Sequence, residues 1–312
     1  MRALAWIGAR AQWALALGVV VAFFVPGPGE ILDGTIPFWV ALLTGLGMLR
    51  IDLKAVALRA LAPRRLVGTL GLLALLMLAT PAAFAGIGRG LGLDENVVSV
   101  LVYTASAPPL GSATAFCLML GLDAAFALEI TVLGSFLAPF TMPLVARVLL
   151  GEAVPIDVAE MTLRLAILIG SAGLGAVVAR RLLGARRIER HGHSFDGLAV
   201  LCLMLFLFPL FLGLRAEIGA EPAFAALVLG LAVAANLGMQ IVSLPLCRLV
   251  AGPATGGSAA LIWGNRNAAL ALAAVPGDPV LTLYVSLYQV PMYLTPLIMR
   301  PFAGIGHRPQ AR

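Results

Sequence analysis

An arginine stands in the middle of an apolar run, and few folds can accommodate it there. The stretch Leu261-Ile-Trp-Gly-Asn-Arg-Asn-Ala-Ala-Leu-Ala-Leu-Ala-Ala274 is long enough to lie in a bilayer, but Gly264, Asn265, Arg266 and Asn267 interrupt it. A permanent guanidinium at bilayer depth costs about 2.5–3.5 kcal/mol on insertion scales. Two carboxamides and a glycine beside it are not lipid-facing filler. Irregular backbone at that depth persists only when buried in protein or lining a wet cavity. The stretch is therefore read as the place where a membrane protein handles a polar solute.

Composition supports the same class. Hydrophobic residues make up 61% of the chain and charged ones 12%, with a mean hydropathy of +1.01. Such a chain reads as an all-α polytopic membrane protein. A β-barrel would show short alternating segments, whereas these runs are continuous and rich in Leu and Ala. The net charge of +6 does not point to nucleic acid, because the arginines are distributed by topology. Cys117, Cys202 and Cys247 lie in or at the ends of apolar runs without metal-ligand spacing. His191, His193 and His307 fall in basic hydrophilic segments. No metal and no cofactor is expected.

About ten spans are drawn from apolar length. They cover 12–25, 36–49, 66–87, 97–120, 124–150, 161–178, 198–214, 223–244, 256–275 and 280–302, with Pro245 just past the end of the eighth. The N-terminus, with Arg2 and Arg10 before an apolar run, has the flavour of a signal peptide. It lacks a small-x-small cleavage site, so it is taken as a retained first span. With the N-terminus cytoplasmic, the inside segments gather the basic loop 50–65 together with Arg180, Arg181, Arg186, Arg187, Arg190, Arg248, Arg300, Arg308 and Arg312. The outside segments hold Arg89, Arg147, Arg164 and Arg215 and are otherwise acidic, with Asp94, Glu95, Glu152, Asp157, Glu160 and Asp278 among them. This asymmetry predicts an even number of spans and both termini in the cytoplasm, as in a multi-pass protein of a bacterial inner membrane.

An internal repeat is visible at one offset. Pro143-Leu-Val-Ala-Arg147 matches Pro296-Leu-Ile-Met-Arg300, and the same 153-residue offset (296 − 143 and 264 − 111) lays Gly111-Ser-Ala-Thr114 on Gly264-Asn-Arg-Asn267. Five spans per half is an odd number, so residues 1–155 and 156–312 are expected to form two repeats of inverted topology. Inverted repeats with interrupted helices meeting near the midplane are a transporter signature. Pro108 and Pro109 remove two backbone donors inside the fourth span, and Gly111 relaxes the chain beside them. With Gly264 they mark two helix breaks that are expected to cross.

These residues carry a family resemblance. Ala107-Pro-Pro-Leu-Gly-Ser-Ala-Thr-Ala-Phe116, the segment from Thr131 to Pro143, and Gly264-Asn-Arg-Asn-Ala-Ala-Leu-Ala-Leu272 resemble the bile acid:sodium symporter superfamily, which also includes an arsenite-efflux branch. The resemblance implies ten helices, with spans three to five and eight to ten as a core domain and spans one, two, six and seven as a panel. Movement of core against panel would give alternating access. It also implies sodium-ligand positions, which here hold Ala113 and Thr114, Ala127 and Thr131, and Ile262. Two hydroxyls without a carboxylate are a poor sodium site, and Arg266 brings a fixed cation instead. The arsenite branch has a cysteine where this chain has Pro109, and Cys117 lies two turns later, so arsenite efflux is disfavoured.

The expected substrate-facing set is Ser112, Thr114, Thr131, Asn265, Arg266 and Asn267. Glu129 is the one carboxylate well inside an apolar run. It lies about 200° around the helix from Ala127, so it faces away from the crossing if Ala127 faces it. A proton or cavity site and a partner for Arg266 are both open. Asn236 and Gln240 share a helix face at i, i+4, and with Gln289 they either line the core cavity or bond neighbouring helices. No nucleophile–base set or paired acids call for an enzyme. The expectation is a secondary transporter of a small organic anion without the usual sodium site. A symporter with a relocated ion site and a non-transporting membrane sensor are the alternatives.

Overall fold

A computed structural model describes residues 2–25, 27–49, 56, 63–151 and 157–303. Most of the basic loop, Glu152, the junction expected between the repeats, and Arg308 and Arg312 lie outside the described residues. Among the described residues every regular element is helical. The helices are α1 (Arg2–Ala9), α2 (Ala11–Phe24), α3 (Ile36–Leu49), α4 (Pro63–Ala74), α5 (Thr80–Gly90), α6 (Glu95–Ser106), α7 (Ala113–Met119), α8 (Ala124–Leu150) and α9 (Val158–Leu183). They continue as α10 (Ala185–Arg190), α11 (Gly192–Leu210), α12 (Leu214–Ala220), α13 (Pro222–Val233), α14 (Met239–Ala251), α15 (Pro253–Gly264), α16 (Ala268–Ala274) and α17 (Pro279–Ile298).

Among the described residues, five helical stretches are long and apolar enough to cross a membrane: Arg65–Gly90, Ala124–Leu150, Val158–Leu183, Gly192–Leu210 and Pro222–Ala251. Their outward faces carry exposed apolar side chains, among them Leu182, Leu249, Val250 and Val242. Water would not tolerate so much apolar surface on a stable monomer, whereas lipid does. The stretch Pro222–Ala251 runs past the end expected at 244. Pro245 sits inside α14, because a membrane helix tolerates the missing donor where neighbouring groups satisfy the backbone.

Two of these stretches change pitch in the middle. Leu75–Ala79 links α4 to α5, and Ala234–Gly238 links α13 to α14, each as one turn of π-helix. A π turn displaces carbonyls from the α-helical ladder and is found mostly at functional sites. Four helices start on an aspartate: the side chains of Asp94, Asp123, Asp157 and Asp278 accept the backbone N–H of Asn96, Phe126, Glu160 and Leu281. At one surface, Arg89 forms a two-pronged ion pair with Glu95 and also donates to the Leu149 carbonyl at 2.9 Å. The guanidinium holds the Glu95 carboxyl below its ordinary value.

The N-terminus packs where glycine permits. Helix α1 lies on α11 so closely that a Cβ on Gly197 would stand 1.9 Å from the Leu4 carbonyl, and one on Gly8 2.1 Å from that of His193. The centre of the molecule belongs to α6, α15, α16 and α17. Every residue of α6 from Val97 to Ser106 is buried, as is most of α15 and α16. These helices surround the two breaks.

Candidate functional site: a buried arginine where two broken helices meet

Between α6 and α7 the chain runs irregularly from Ala107 to Ser112, and between α15 and α16 from Asn265 to Asn267. Ala107 is extended, with ψ at 149°, as the residue before a proline should be. The two breaks lie against each other and pair as an isolated antiparallel bridge between Pro109 and Arg266. Leu110 N–H donates to the Asn265 carbonyl at 2.9 Å, and Asn267 N–H donates to the Pro108 carbonyl at 2.8 Å. Each break thus satisfies backbone groups that the other exposes. Without that exchange, unpaired amides at membrane depth would be costly. Helix α8 presses on the first break at Gly134, where a Cβ would come 3.3 Å from Pro108 and Pro109.

Asn265 is fully bonded. Asn236, in the second π turn, donates to the Gly264 carbonyl at 3.1 Å and to Asn265 Oδ1 at 3.2 Å. Gln240 donates to Asn236 Oδ1 at 3.0 Å and to the Thr295 hydroxyl at 3.3 Å. The Thr295 hydroxyl lies 3.2 Å from Oδ1 of both Asn236 and Asn265, while Asn265 Nδ2 donates to the Leu261 carbonyl at 2.9 Å. All four side chains are 0% exposed. Gly264 allows this closeness: a Cβ there would meet the Asn236 carbonyl at 2.0 Å. Asn236 and Gln240 therefore bond neighbouring helices. Thr295 completes the cluster, and sequence reasoning missed it.

Arg266 is different. The side chain is 4% exposed, and one Nη2 hydrogen goes to the carbonyl of Leu76, in the first π turn. Its backbone N–H donates to the Tyr288 hydroxyl at 3.0 Å, which in turn donates to the Gly264 carbonyl. Nε and Nη1 have no hydrogen-bond partner among the described residues, and no described carboxylate forms an ion pair with the guanidinium. Glu129 is buried but accepts from Thr69 of α4 at 3.2 Å, in keeping with a helix face turned away from the crossing. Gln289 donates to the Val285 carbonyl of its own helix at 2.9 Å.

The guanidinium lines a cavity together with Tyr284, Tyr288, Trp263, Thr80 and Thr104. The two tyrosine rings stack with centroids 5.8 Å apart, Trp263 Nε1 donates to the Thr80 hydroxyl at 3.0 Å, and the Tyr284 hydroxyl is buried beside that of Thr104. The cavity measures about 10 Å³, room for roughly one water-sized body. An organic anion does not fit in this conformation. The hydroxyls of Ser112, Thr114 and Thr131 are also enclosed without partners, but they are not among the residues lining this cavity. The structure thus brings Pro108, Pro109, Gly264, Asn265, Arg266 and Asn267 to one crossing. It keeps the guanidinium's cavity apart from the three hydroxyls. No group of His, Cys, Asp and Glu that could hold a metal occurs among the described residues.

No protein-family model matches the chain, and no curated protein matches it.

Proposed function

We propose that this chain is a secondary transporter of a small organic anion, working by alternating access, with Arg266 as the fixed cation at the crossing. The observation that carries the reading is the guanidinium itself: buried, centrally placed, charged at all physiological pH, and given among the described residues a single acceptor and no carboxylate. Such a group is expensive at membrane depth unless it meets an anion or a wet path. The ten-helix architecture of two inverted repeats belongs to the same proposal. It is supported by the resemblance, by the helix break in each half, and by a π turn in the helix expected third in each half. In this conformation the cavity has no room for an organic solute, and core and panel would separate to admit it.

The sodium site of the resembled superfamily does not enter the proposal. Ile262 stands at the carboxylate position and is 0% exposed in the core, so the position offers no oxygen to an ion. Uptake of labelled organic anions into proteoliposomes tests the whole. Transport should persist when Na⁺ is replaced by K⁺ or choline, fall partly in Arg266→Lys, which loses the planar fork, and vanish in Arg266→Gln. Steep sodium dependence with a Hill coefficient above one would return the chain to sodium coupling. Binding without uptake would mark a sensor, and undiminished uptake by Arg266→Gln would end the role given to the arginine.

A further inference from the structure

Helix α9 carries arginines at both ends, and the two ends treat them differently. Near its start Arg164 pairs with Glu160, one turn away. At the other end of this 26-residue helix, about 39 Å long, Arg180 and Arg181 fill the last turn. Arg186, Arg187 and Arg190 follow in α10. Among the described residues none of these five arginines forms an ion pair. Glu189 is the one acid in the segment, so residues 180–190 carry a formal charge of +4, five arginines less one glutamate. The helix dipole gives Arg180 and Arg181 a local reason to stand where they do. It gives Arg186 none, because Arg186 lies in the first turn of α10, where a cation is disfavoured.

The fold turns this charge outward beside an apolar surface. Ile188 is buried and pins α10 by one side. At 100° per residue Arg186 and Arg190 each lie about 160° from Ile188, and both are exposed. Arg180 Nη1 donates to the Leu49 carbonyl at 3.2 Å, which ties the end of α3 into the same corner. On α9, Leu174, Val178 and Leu182 stand at i, i+4 and i+8, all exposed, Leu182 by 81%. This apolar stripe runs along one face of α9 up to the arginines. Cations without counter-charges at the end of a lipid-facing stripe match a molecule with an anionic head and an apolar tail.

We infer that this corner binds an anionic phospholipid of the surrounding leaflet, with Arg186 and Arg190 meeting its headgroup phosphate and the stripe on α9 meeting an acyl chain. Basic segments directly beside a membrane helix attract such lipids, and each cation adds about fivefold. A bound lipid joins the ends of α3, α9 and α11 at one point. The inference needs only that the chain lies in a membrane, and it stands apart from the transport reading.

The experiment follows the melting temperature of the purified full-length chain in a neutral detergent. Phosphatidylglycerol, or phosphatidylcholine with the same acyl chains, is added as mixed micelles. Phosphatidylglycerol should raise the melting temperature saturably by a few degrees, and phosphatidylcholine should not. Arg186→Gln with Arg190→Gln should weaken the phosphatidylglycerol midpoint about thirtyfold. Arg147→Gln with Arg215→Gln removes the same charge from exposed arginines at the end of α8 that leads into α9 and beyond the far end of α11, and should leave the midpoint in place. Should the corner variant fold poorly, the wild-type protein decides alone. Its selectivity for phosphatidylglycerol must be present at low salt and lost at about 1 M sodium chloride, where the Debye length falls to about 3 Å. An equal response to phosphatidylcholine, or an equal shift in the Arg147 and Arg215 variant, overturns the site. So does saturation by inorganic phosphate in place of the lipid, which would make the corner a site for a soluble anion.

Discussion

Asn265 and Arg266 are neighbours in the chain, both buried and both polar, and they leave the same helix break toward different surroundings. Asn265 enters a cluster with Asn236, Gln240 and Thr295 in which its own polar atoms are bonded. Arg266 enters a cavity where, among the described residues, it finds one carbonyl and no counter-charge. A bonded buried polar cluster holds helices in register, and an underbonded one is a cost to stability. The break therefore has a structural half, facing the second π turn, and a half held at a cost, facing the first. The cost is a reason to assign function to Arg266 and not to Asn265.

Four substitutions sharpen or break this contrast. The largest effect should come from Gly264→Ala, whose Cβ meets the Asn236 carbonyl at 2.0 Å. Backbone must move on one side or the other, so we expect a loss of about 3 kcal/mol, read as a lower melting temperature and a smaller monodisperse fraction. Wild-type melting of this variant would mean the second break and the π turn are not in contact. Next, Asn236→Leu removes the side chain that joins Gln240 to Asn265 and leaves those two to Thr295 and to backbone carbonyls. A loss of about 2 kcal/mol is expected, with any anion response per folded molecule kept. Third, Arg266→Met should act in the opposite direction. It should stabilise by about 1 kcal/mol, since an uncompensated buried charge is replaced by an apolar chain. Clear destabilisation of this variant would erase the distinction between the two halves. Smallest of all, Thr114→Val removes a hydroxyl without a partner. Its stability should stay within about 0.5 kcal/mol of wild type, so a change in uptake by this variant would be a functional effect.

Much of the frame was legible from apolar length. The stretches drawn at 36–49 and 124–150 coincide with α3 and α8, because lipid demands continuous apolar runs and polar corners end them. The breaks were legible too, since Pro108, Pro109 and the Gly264–Asn267 cluster leave a helix no other option. Side-chain partners were not. Thr295 completes the Asn265 cluster from a helix whose own pattern gives no hint of it. Neither π turn, Leu75–Ala79 or Ala234–Gly238, is announced by its own residues, because pitch there depends on tertiary contacts. The acidic side expected from charge distribution acquires a second, local reason. Asp94, Asp157 and Asp278 each cap a helix, so carboxylates there serve helix starts as well as topology.

One feature of Arg266 matters electrically: it is covalently fastened. A dissociable cation enters with the substrate and leaves with it, but a side chain stays with the protein through both halves of a cycle. In the proposed mechanism the region around the crossing is neutral when a monoanion sits on the guanidinium and carries one positive charge when nothing does. The membrane potential then acts on the unloaded return, at about 2.3 kcal/mol per 100 mV for a charge moved across the whole field. The loaded step feels little of it. Presteady-state currents should therefore appear with the substrate-free protein and shrink as the organic anion saturates it.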